Sequence, residues 1–406
     1  MRSMIKFCGV DFKNPVVVAS ATPTRDLERM KLAIDSGAGG IVAKTPSLHQ
    51  IERLYPSPRF YVMHPDQIRK GGLYSFISTE QLCEHKPEEY LEELKEIRKY
   101  ADENDCRLIV NVMGGTPDEW KILTEMFAPI GDIVECNLAC PYGAELEGEK
   151  GSVISSNPEL ALNTMKTVRS MTDKPLVAKL SIDSGGIEAV STALAEAGIE
   201  GVHLCHRFTC LEIDIETGKP ILNGCIAGYG GPWMSPISRK WVAKIASKKM
   251  MDVCAGGGID NWRDAIGHIM AGARQVQMCA AGMLRGYKAY TDAIDGIDKF
   301  LIEKGYDSIE DIVGMALTNI KPLHDVPRKD KFQAKAQVYK DDCIGCGFCE
   351  EVCFYGAISM NSGIAIIDQN KCDGCGLCAQ VCPKECIKMF HNAEEVPVTW
   401  KGARGR

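Results

Sequence analysis

The chain has 406 residues, 45% hydrophobic and 25% charged, an ordinary globular mixture that excludes global disorder, collagen and coiled coil. Lys and Arg number 47 against 54 Asp and Glu, a formal charge of −7, which argues against nucleic acid because phosphate recognition needs a basic face. No stretch approaches the roughly 20 apolar residues of a membrane span. The start, Met1-Arg2-Ser3-Met4-Ile5-Lys6, runs into a polar turn at Gly9-Val10-Asp11 without a signal peptide's apolar run. A cytoplasmic protein with no membrane or nucleic-acid partner is expected.

In chain order, Ile5–Phe12 with its turn at Gly9 reads as a hairpin. Eight short apolar runs follow: Val16–Ser20, Gly40–Thr45, Leu108–Met113, Ile133–Leu138, Leu176–Leu180, Gly201–His206, Val253–Gly258 and Gln275–Ala280. Most are apolar on both faces, as a buried parallel strand is. Helical text separates them at Asp26–Ser36, Pro87–Glu103, Pro117–Phe127, Pro158–Met171, Gly186–Ala197 and Asn261–Met270. Eight such units predict an α/β fold, a (β/α)8 TIM barrel over residues 1–320, with the hairpin plugging its bottom. A doubly wound sheet is the rival, but no G-x-G-x-x-G or Walker motif follows the first strand. The barrel is expected to end in a helical Ser308–Leu317. Residues 321–340 read as a linker, 341–391 as a small α+β cysteine domain, and 392–406 as a polar tail.

Reactive groups of such barrels sit where strands end. Strand one ends in Ala19-Ser20-Ala21-Thr22 and strand two in Lys44-Thr45. Strand three carries Asn111, and strand four runs into Asn137-Leu138-Ala139-Cys140-Pro141. Strand five holds Lys179, and strand six ends at His206-Arg207. The last two strands end in Gly256-Gly257-Gly258 and Ala280-Ala281-Gly282, where backbone amides form a phosphate cradle. In a chain whose cysteines also cluster at Cys343, Cys346, Cys349, Cys353 and Cys372, Cys375, Cys378, Cys382 with the spacing of iron–sulfur ligands, a phosphate-bearing cofactor points to FMN, which trades single electrons with a cluster and a hydride with a substrate. Lys44 and Lys179 would stabilise its reduced anion, although a strand-end lysine is also a common ion-pair residue. Cys140 lies just past a strand, before the Gly- and Glu-rich loop Tyr142–Lys150. A thiol of pKa about 8.5 serves as a general acid at neutral pH. Cys136, inside the strand, reads as packing.

Of the 19 cysteines, eight fall in two runs, Cys343-x2-Cys346-x2-Cys349-x3-Cys353 and Cys372-x2-Cys375-x2-Cys378-x3-Cys382-Pro383. This is the spacing of a two-[4Fe–4S] ferredoxin, in which each run's fourth cysteine serves the other cluster. One cluster takes Cys343, Cys346, Cys349 and Cys382, the other Cys372, Cys375, Cys378 and Cys353. Structural zinc also uses Cys-x2-Cys, but tandem runs of four favour clusters. Phe354 stands where the first run usually carries Pro. Cys386 lies outside the pattern and reads as packing.

Asn137-Leu138-Ala139-Cys140-Pro141 resembles the N-L-S-C-P active-site loop of the dihydroorotate and dihydropyrimidine dehydrogenases. Ala43-Lys44-Thr45, Ala178-Lys179-Leu180, Gly228-Tyr229-Gly230-Gly231 and Gly257-Gly258-Ile259 fit the same superfamily. With the cysteine domain, the resemblance is nearest to the FMN-barrel plus ferredoxin subunits of bacterial NAD-dependent dihydropyrimidine dehydrogenases. It implies hydride transfer from FMN N5 to one carbon of an activated C=C and protonation of the other by Cys140. It implies flavin contacts at Ala21, Lys44, Thr45, Lys179, Gly230, Gly231, Gly257, Gly258, Ala280 and Ala281, with Asn111 counted among them, and a substrate contact at Asn137. It further implies a homo-oligomer, and an NAD(P)H-oxidising flavoprotein subunit or a ferredoxin as electron partner.

The substrate positions depart from the family. His206-Arg207 replaces an Asn-Thr or Asn-Ser pair, Ser78 replaces an asparagine near a retained Glu80, and Ser181-Ile182-Asp183 replaces Thr-Pro-Asn. An arginine offers donors only, where a pyrimidine edge needs donor and acceptor. The substrate expected is therefore a non-pyrimidine unsaturated acid or carbonyl compound, provided that Arg207 does not fold outward into a surface ion pair. Two other functions compete: an electron-relay subunit without its own organic substrate, against which Cys140 argues, and a tRNA uridine reductase, against which the net charge argues.

Overall fold

The computed structural model describes residues 2–140, 151–183, 185–224, 226–329 and 331–396. It forms two compact units, Met1–Asn319 and Ile320–Arg406.

The first unit is a closed parallel barrel of eight strands: β1 (Val16–Val18), β2 (Gly40–Val42), β3 (Arg107–Val112), β4 (Ile133–Asn137), β5 (Leu176–Ser181), β6 (Gly201–His206), β7 (Asp252–Ala255) and β8 (Gln275–Met278). Each of the eight apolar runs supplies one strand, and β8 closes the ring on β1 through Val276↔Val16. The intervening helices begin where the sequence offers caps. Asp26 accepts from Arg29 N ahead of Leu27–Asp35, Thr116 from Glu119 N ahead of Pro117–Phe127, and Asn261 from Arg263 N ahead of Trp262–Met270. Pro87, Pro117 and Pro158 occupy first-turn positions, where the missing N–H is harmless.

The hairpin Ile5–Phe7/Val10–Phe12 covers the N-terminal end of the barrel. Cys8 N donates to Asp252 Oδ2 (2.7 Å), and the buried rings of Phe7 and Phe12 lie against Gly201 and Gly40, the first residues of β6 and β2. At the opposite end stands a four-stranded antiparallel sheet that the apolar pattern does not announce. Its strands, Phe208–Cys210, Ala227–Gly230, Ser75–Ser78 and Phe60–Met63, come from the segments following β6 and β2. Between His203 and His206 the register of β6 against β5 slips by one residue, a bulge that re-aims the side chains beyond it. The expected helix at Ser308–Leu317 is instead two separate 3-10 turns, Ile309–Ile312 and Leu317–Asn319, because Gly314 adopts a left-handed φ of +70° between them. Among the described residues no helix is long and apolar enough to cross a membrane.

In the second unit the expected linker and tail both shorten. Lys335–Val338 and Glu394–Val396 form strands on either side of Ile387–His391. Both were hidden by polar composition: each is an edge strand, the first burying Ala336 alone and the second no side chain fully. A hairpin, Ile358–Asn361/Ile364–Ile367, and two short helices, Phe348–Glu351 and Leu377–Val381, complete it.

Candidate active site and cysteine cavities

The C-terminal mouth of the barrel opens into a cleft of about 1180 Å3, its open entrance included. Its lining includes Ala21, Lys44, Thr45, Ser78, Glu80, Asn137, Cys140, Lys179, His206, Arg207, Gly230, Gly231, Gly257, Gly258, Ala280 and Ala281. Of the barrel residues singled out from sequence, Asn111 does not line the cleft. It lies one layer behind, accepting from Thr45 Oγ1 (2.6 Å) and donating to Glu135 Oε1 (2.6 Å), because its strand position points it into the barrel interior. Asp183 is also outside the lining, where it accepts from Thr209 N and Oγ1 at 2.7 Å.

Glu135 and His203 are the functional residues that strand-end reasoning missed. Glu135 is fully buried and gathers four donors: Asn111 Nδ2, Gln277 Nε2 (2.6 Å), His203 Nδ1 (2.9 Å) and Lys179 Nζ (3.5 Å). Burial alone would raise its pKa. The Lys179 charge, with the bonds from His203 and Gln277, outweighs burial and holds the carboxyl well below the ordinary range. Burial lowers the His203 pKa against the pull of Glu135, so the ring is neutral with Nδ1–H donating. The signal available in the sequence was a charged residue at the centre of an apolar run, since buried charges require partners.

Lys44 is held likewise. Its backbone N donates to the buried Tyr90 hydroxyl (2.8 Å), and its Nζ reaches Glu80 Oε1 (2.9 Å), which also accepts from Thr22 Oγ1 (2.8 Å). Burial raises the Glu80 pKa, but Lys44 and then Arg207 lower it further, keeping it ionised.

The glycine run after β7 has no side-chain alternative. Gly257 and Gly258 sit at φ +80° and +81°, and a Cβ on Gly258 would lie 2.2 Å from Ser235 N. Their amides have no hydrogen-bond partner among the described residues. The neighbouring helix Ala280–Arg285 offers first-turn amides that no intrahelical carbonyl can satisfy. Gln277 Oε1 is buried without a partner, an acceptor facing the same cleft. Free amides for a phosphate, paired lysines for a ring that turns anionic on reduction, and an orphaned acceptor fit a flavin mononucleotide.

Cys140 lines the cleft beside Asn137, whose Oδ1 accepts from Ala139 N (3.2 Å). Ser152 N donates to Cys140 O (2.9 Å). The loop expected at Tyr142–Lys150 lies outside the described residues. Arg207 turns inward: its Nη1 donates to Ser78 Oγ, and its guanidinium lies where a Cβ on Gly228 would be.

The eight cysteines of the two runs surround two small cavities. One, of about 340 Å3, is lined by Cys343, Cys346, Cys349 and Cys382; the other, of about 350 Å3, by Cys353, Cys372, Cys375 and Cys378. The fourth cysteine of each run has crossed to the other set. Each set brings four cysteines round one cavity, the number that a [4Fe–4S] cluster takes. Cys386 also lines the first cavity, its Sγ 3.4 Å from that of Cys382. It is buried in the core of this unit, the packing residue that the spacing suggested, at the wall of that cavity.

Residues 3–301 match the dihydroorotate dehydrogenase family model, and residues 334–389 match the 4Fe-4S dicluster domain. The chain is 32% identical over 313 residues to the catalytic subunit of dihydroorotate dehydrogenase B (NAD(+)) of Pyrococcus abyssi, covering 77% of this chain and 98% of that protein. It is 30% identical over 362 residues to the NAD-dependent dihydropyrimidine dehydrogenase subunit PreA of Escherichia coli K12, covering 87% of this chain and 85% of that protein.

Proposed function

The chain belongs to the dihydroorotate dehydrogenase family and is an oxidoreductase of CH–CH bonds; from that premise we propose that it reduces, or forms, an activated C=C bond using FMN and two [4Fe–4S] clusters. The observation that carries the proposal is the convergence of Cys140, Lys44, Lys179 and the Gly257-Gly258 cradle on one cleft.

Bound FMN supplies hydride exchange with the substrate and single-electron exchange with the clusters. The amides of Gly257, Gly258, Ala280 and Ala281 hold the phosphate. Lys179, fixed by Glu135, and Lys44, fixed by Glu80, provide positive charge beside the ring. Cys140 Sγ–H gives its proton to the carbon that does not receive the hydride, so the C=C gains two electrons and two protons, and the thiolate recovers its proton from solvent. In oxidation of a CH–CH bond the same thiol, as thiolate, removes that proton. Cys343, Cys346, Cys349 and Cys382 ligate one cluster, and Cys353, Cys372, Cys375 and Cys378 the other. Both relatives are named as subunits, which supports an electron partner that oxidises NAD(P)H, or a ferredoxin in its place.

The test is anaerobic purification with assay of flavin and iron, then dithionite reduction and mixing with uracil and a panel of unsaturated acids and enones. The proposal requires bound FMN, and a bleached flavin band that at least one of these compounds restores. Protein that binds no flavin, or flavin that none of them reoxidises, would refute it.

A further inference from the structure

Resting on the reading of this cleft as a flavin site, we infer that His203 is a proton acceptor coupled to flavin reduction, taking up one proton from solvent at Nε2 for every two electrons that enter the ring. The pairing with Glu135 has the geometry for it. His203 Nδ1–H donates to Glu135 Oε2 at 2.9 Å, which fixes the tautomer that carries its lone pair on Nε2. Among the described residues Glu135 is the only hydrogen-bond partner of the ring. His203 and Gly256 both line the cleft, and a Cβ on Gly256 would lie 2.4 Å from Nε2. Glycine at that position leaves the basic edge of the imidazole uncovered.

His203 lies three residues inside β6 from the strand end at His206, in register with Lys179 on β5 and Cys254 on β7. It shares Glu135 Oε2 with Gln277 Nε2. This is therefore the layer of Lys179 and Gln277, the residues fitted above to the flavin ring, and not the rim where Arg207 meets Ser78. The titratable groups that face it are Glu135 from β4, Lys179 from β5, Cys254 from β7 and, on its own strand, His206; Asn111 completes the layer without titrating. Lys179 and Glu135 cancel one another, burial holds the Cys254 thiol protonated, and burial keeps both imidazoles neutral. Two electrons and one proton on the ring add a negative charge to this balanced, water-poor layer. That charge joins Glu135 in raising the His203 pKa, and a proton on Nε2 restores neutrality. When a hydride leaves for the substrate, the ring gives up two electrons and one proton, the added charge is gone, and His203 returns its proton to solvent.

The test is a spectroelectrochemical titration of the flavin band in the holoenzyme between about pH 5 and 8, the span in which an imidazole titrates. Flavin content is measured in every sample, and the spectrum of the reduced flavin is recorded at each pH. Each proton bound per two electrons lowers the midpoint potential by about 30 mV per pH unit. The wild type is expected to show a segment of about 60 mV per unit, two protons, while the spectrum stays that of the anionic reduced ring. H203Q and H203N carry amides that can still bond to Glu135 and cannot take the proton. Whichever of them binds flavin is expected to show about 30 mV per unit throughout, so that its curve departs from that of the wild type as pH falls. A purely structural role for His203 would instead move the midpoint equally at every pH, and that result overturns the inference. So does a wild-type slope of one proton throughout, a steep segment that survives in the variants, or a spectrum of neutral reduced ring across that segment. Loss of flavin from both variants also overturns it, assigning His203 to holding the cofactor. Failure of the parent reading looks different: no flavin in the wild-type protein, or flavin that no activated alkene reoxidises.

Discussion

Replacing Glu135 by Gln keeps the shape of a side chain at the centre of the barrel and removes only its charge. In the native chain that charge lies among Lys179 Nζ (3.5 Å), His203 Nδ1 (2.9 Å) and the amides of Asn111 and Gln277, in a layer where Lys179 is 7% exposed and Glu135 1%. With Gln present, the Lys179 ammonium is left buried without its counter-ion, and breaking one side of a buried pair costs about 3–5 kcal/mol. At roughly 2 °C per kcal/mol for a unit of this size, the barrel's thermal midpoint falls by about 6–10 °C. The assay is thermal unfolding of cofactor-stripped protein by far-ultraviolet circular dichroism at pH 7. A second variant isolates the cause: E135Q combined with K179M removes both charges and recovers most of the loss, because the penalty belongs to the orphaned ammonium. The effect has a definite pH sign. Glu135 is held below its ordinary value of 4.5, so the ionised form stabilises the fold above that pH. That contribution is lost as pH falls through the depressed folded value, and the gap between wild type and E135Q narrows on acidification. A midpoint unchanged in E135Q at pH 7, or a double variant no better than the single one, would refute the charge-network account.

Other changes have separate readouts. G258A introduces a Cβ that lies 2.2 Å from Ser235 N at a φ of +81°, so the purified protein is expected to lose most of its flavin, measured by absorbance after release, while its iron content is unchanged. C382A removes a cysteine of the second run but empties the first cavity. Electron paramagnetic resonance of the reduced protein is expected to lose the signal that C343A also loses and to keep the one that C372A abolishes. Loss of the same signal in C382A and C372A would mean that the runs do not cross.

The barrel was legible in the sequence because its strands are buried on both faces and helices such as Leu27–Asp35, Pro117–Phe127 and Pro158–Arg169 open on a cap or a proline, so local pattern and tertiary environment agree. The strand-end rule placed Lys44, Cys140, Lys179 and Arg207 at one mouth for the same reason. Asn111 was misplaced because the rule does not distinguish a side chain that emerges from the barrel from one that points into it. Glu135 and His203 were passed over because they lie inside strands and not at their ends, although a charged or polar side chain within an apolar run marks a buried group that needs a partner. The mouth sheet, and the strands at Lys335–Val338 and Glu394–Val396, are short and partly exposed. What makes them strands is pairing with distant segments, such as Tyr229 with Ile77, which no local window contains.

The central claim is that Cys140 moves the substrate proton while electrons reach the same cleft through the clusters and the flavin. Its most direct test is a single turnover of dithionite-reduced wild-type and C140A protein, with the excess reductant removed, against whichever compound reoxidises the wild-type flavin. The account predicts equal flavin and iron content, equal reduction by dithionite, and reoxidation of the flavin by the alkene slowed about 10²- to 10⁴-fold in C140A, the usual worth of a positioned general acid. Reoxidation at the wild-type rate would contradict it and leave a relay without its own proton donor as the better description.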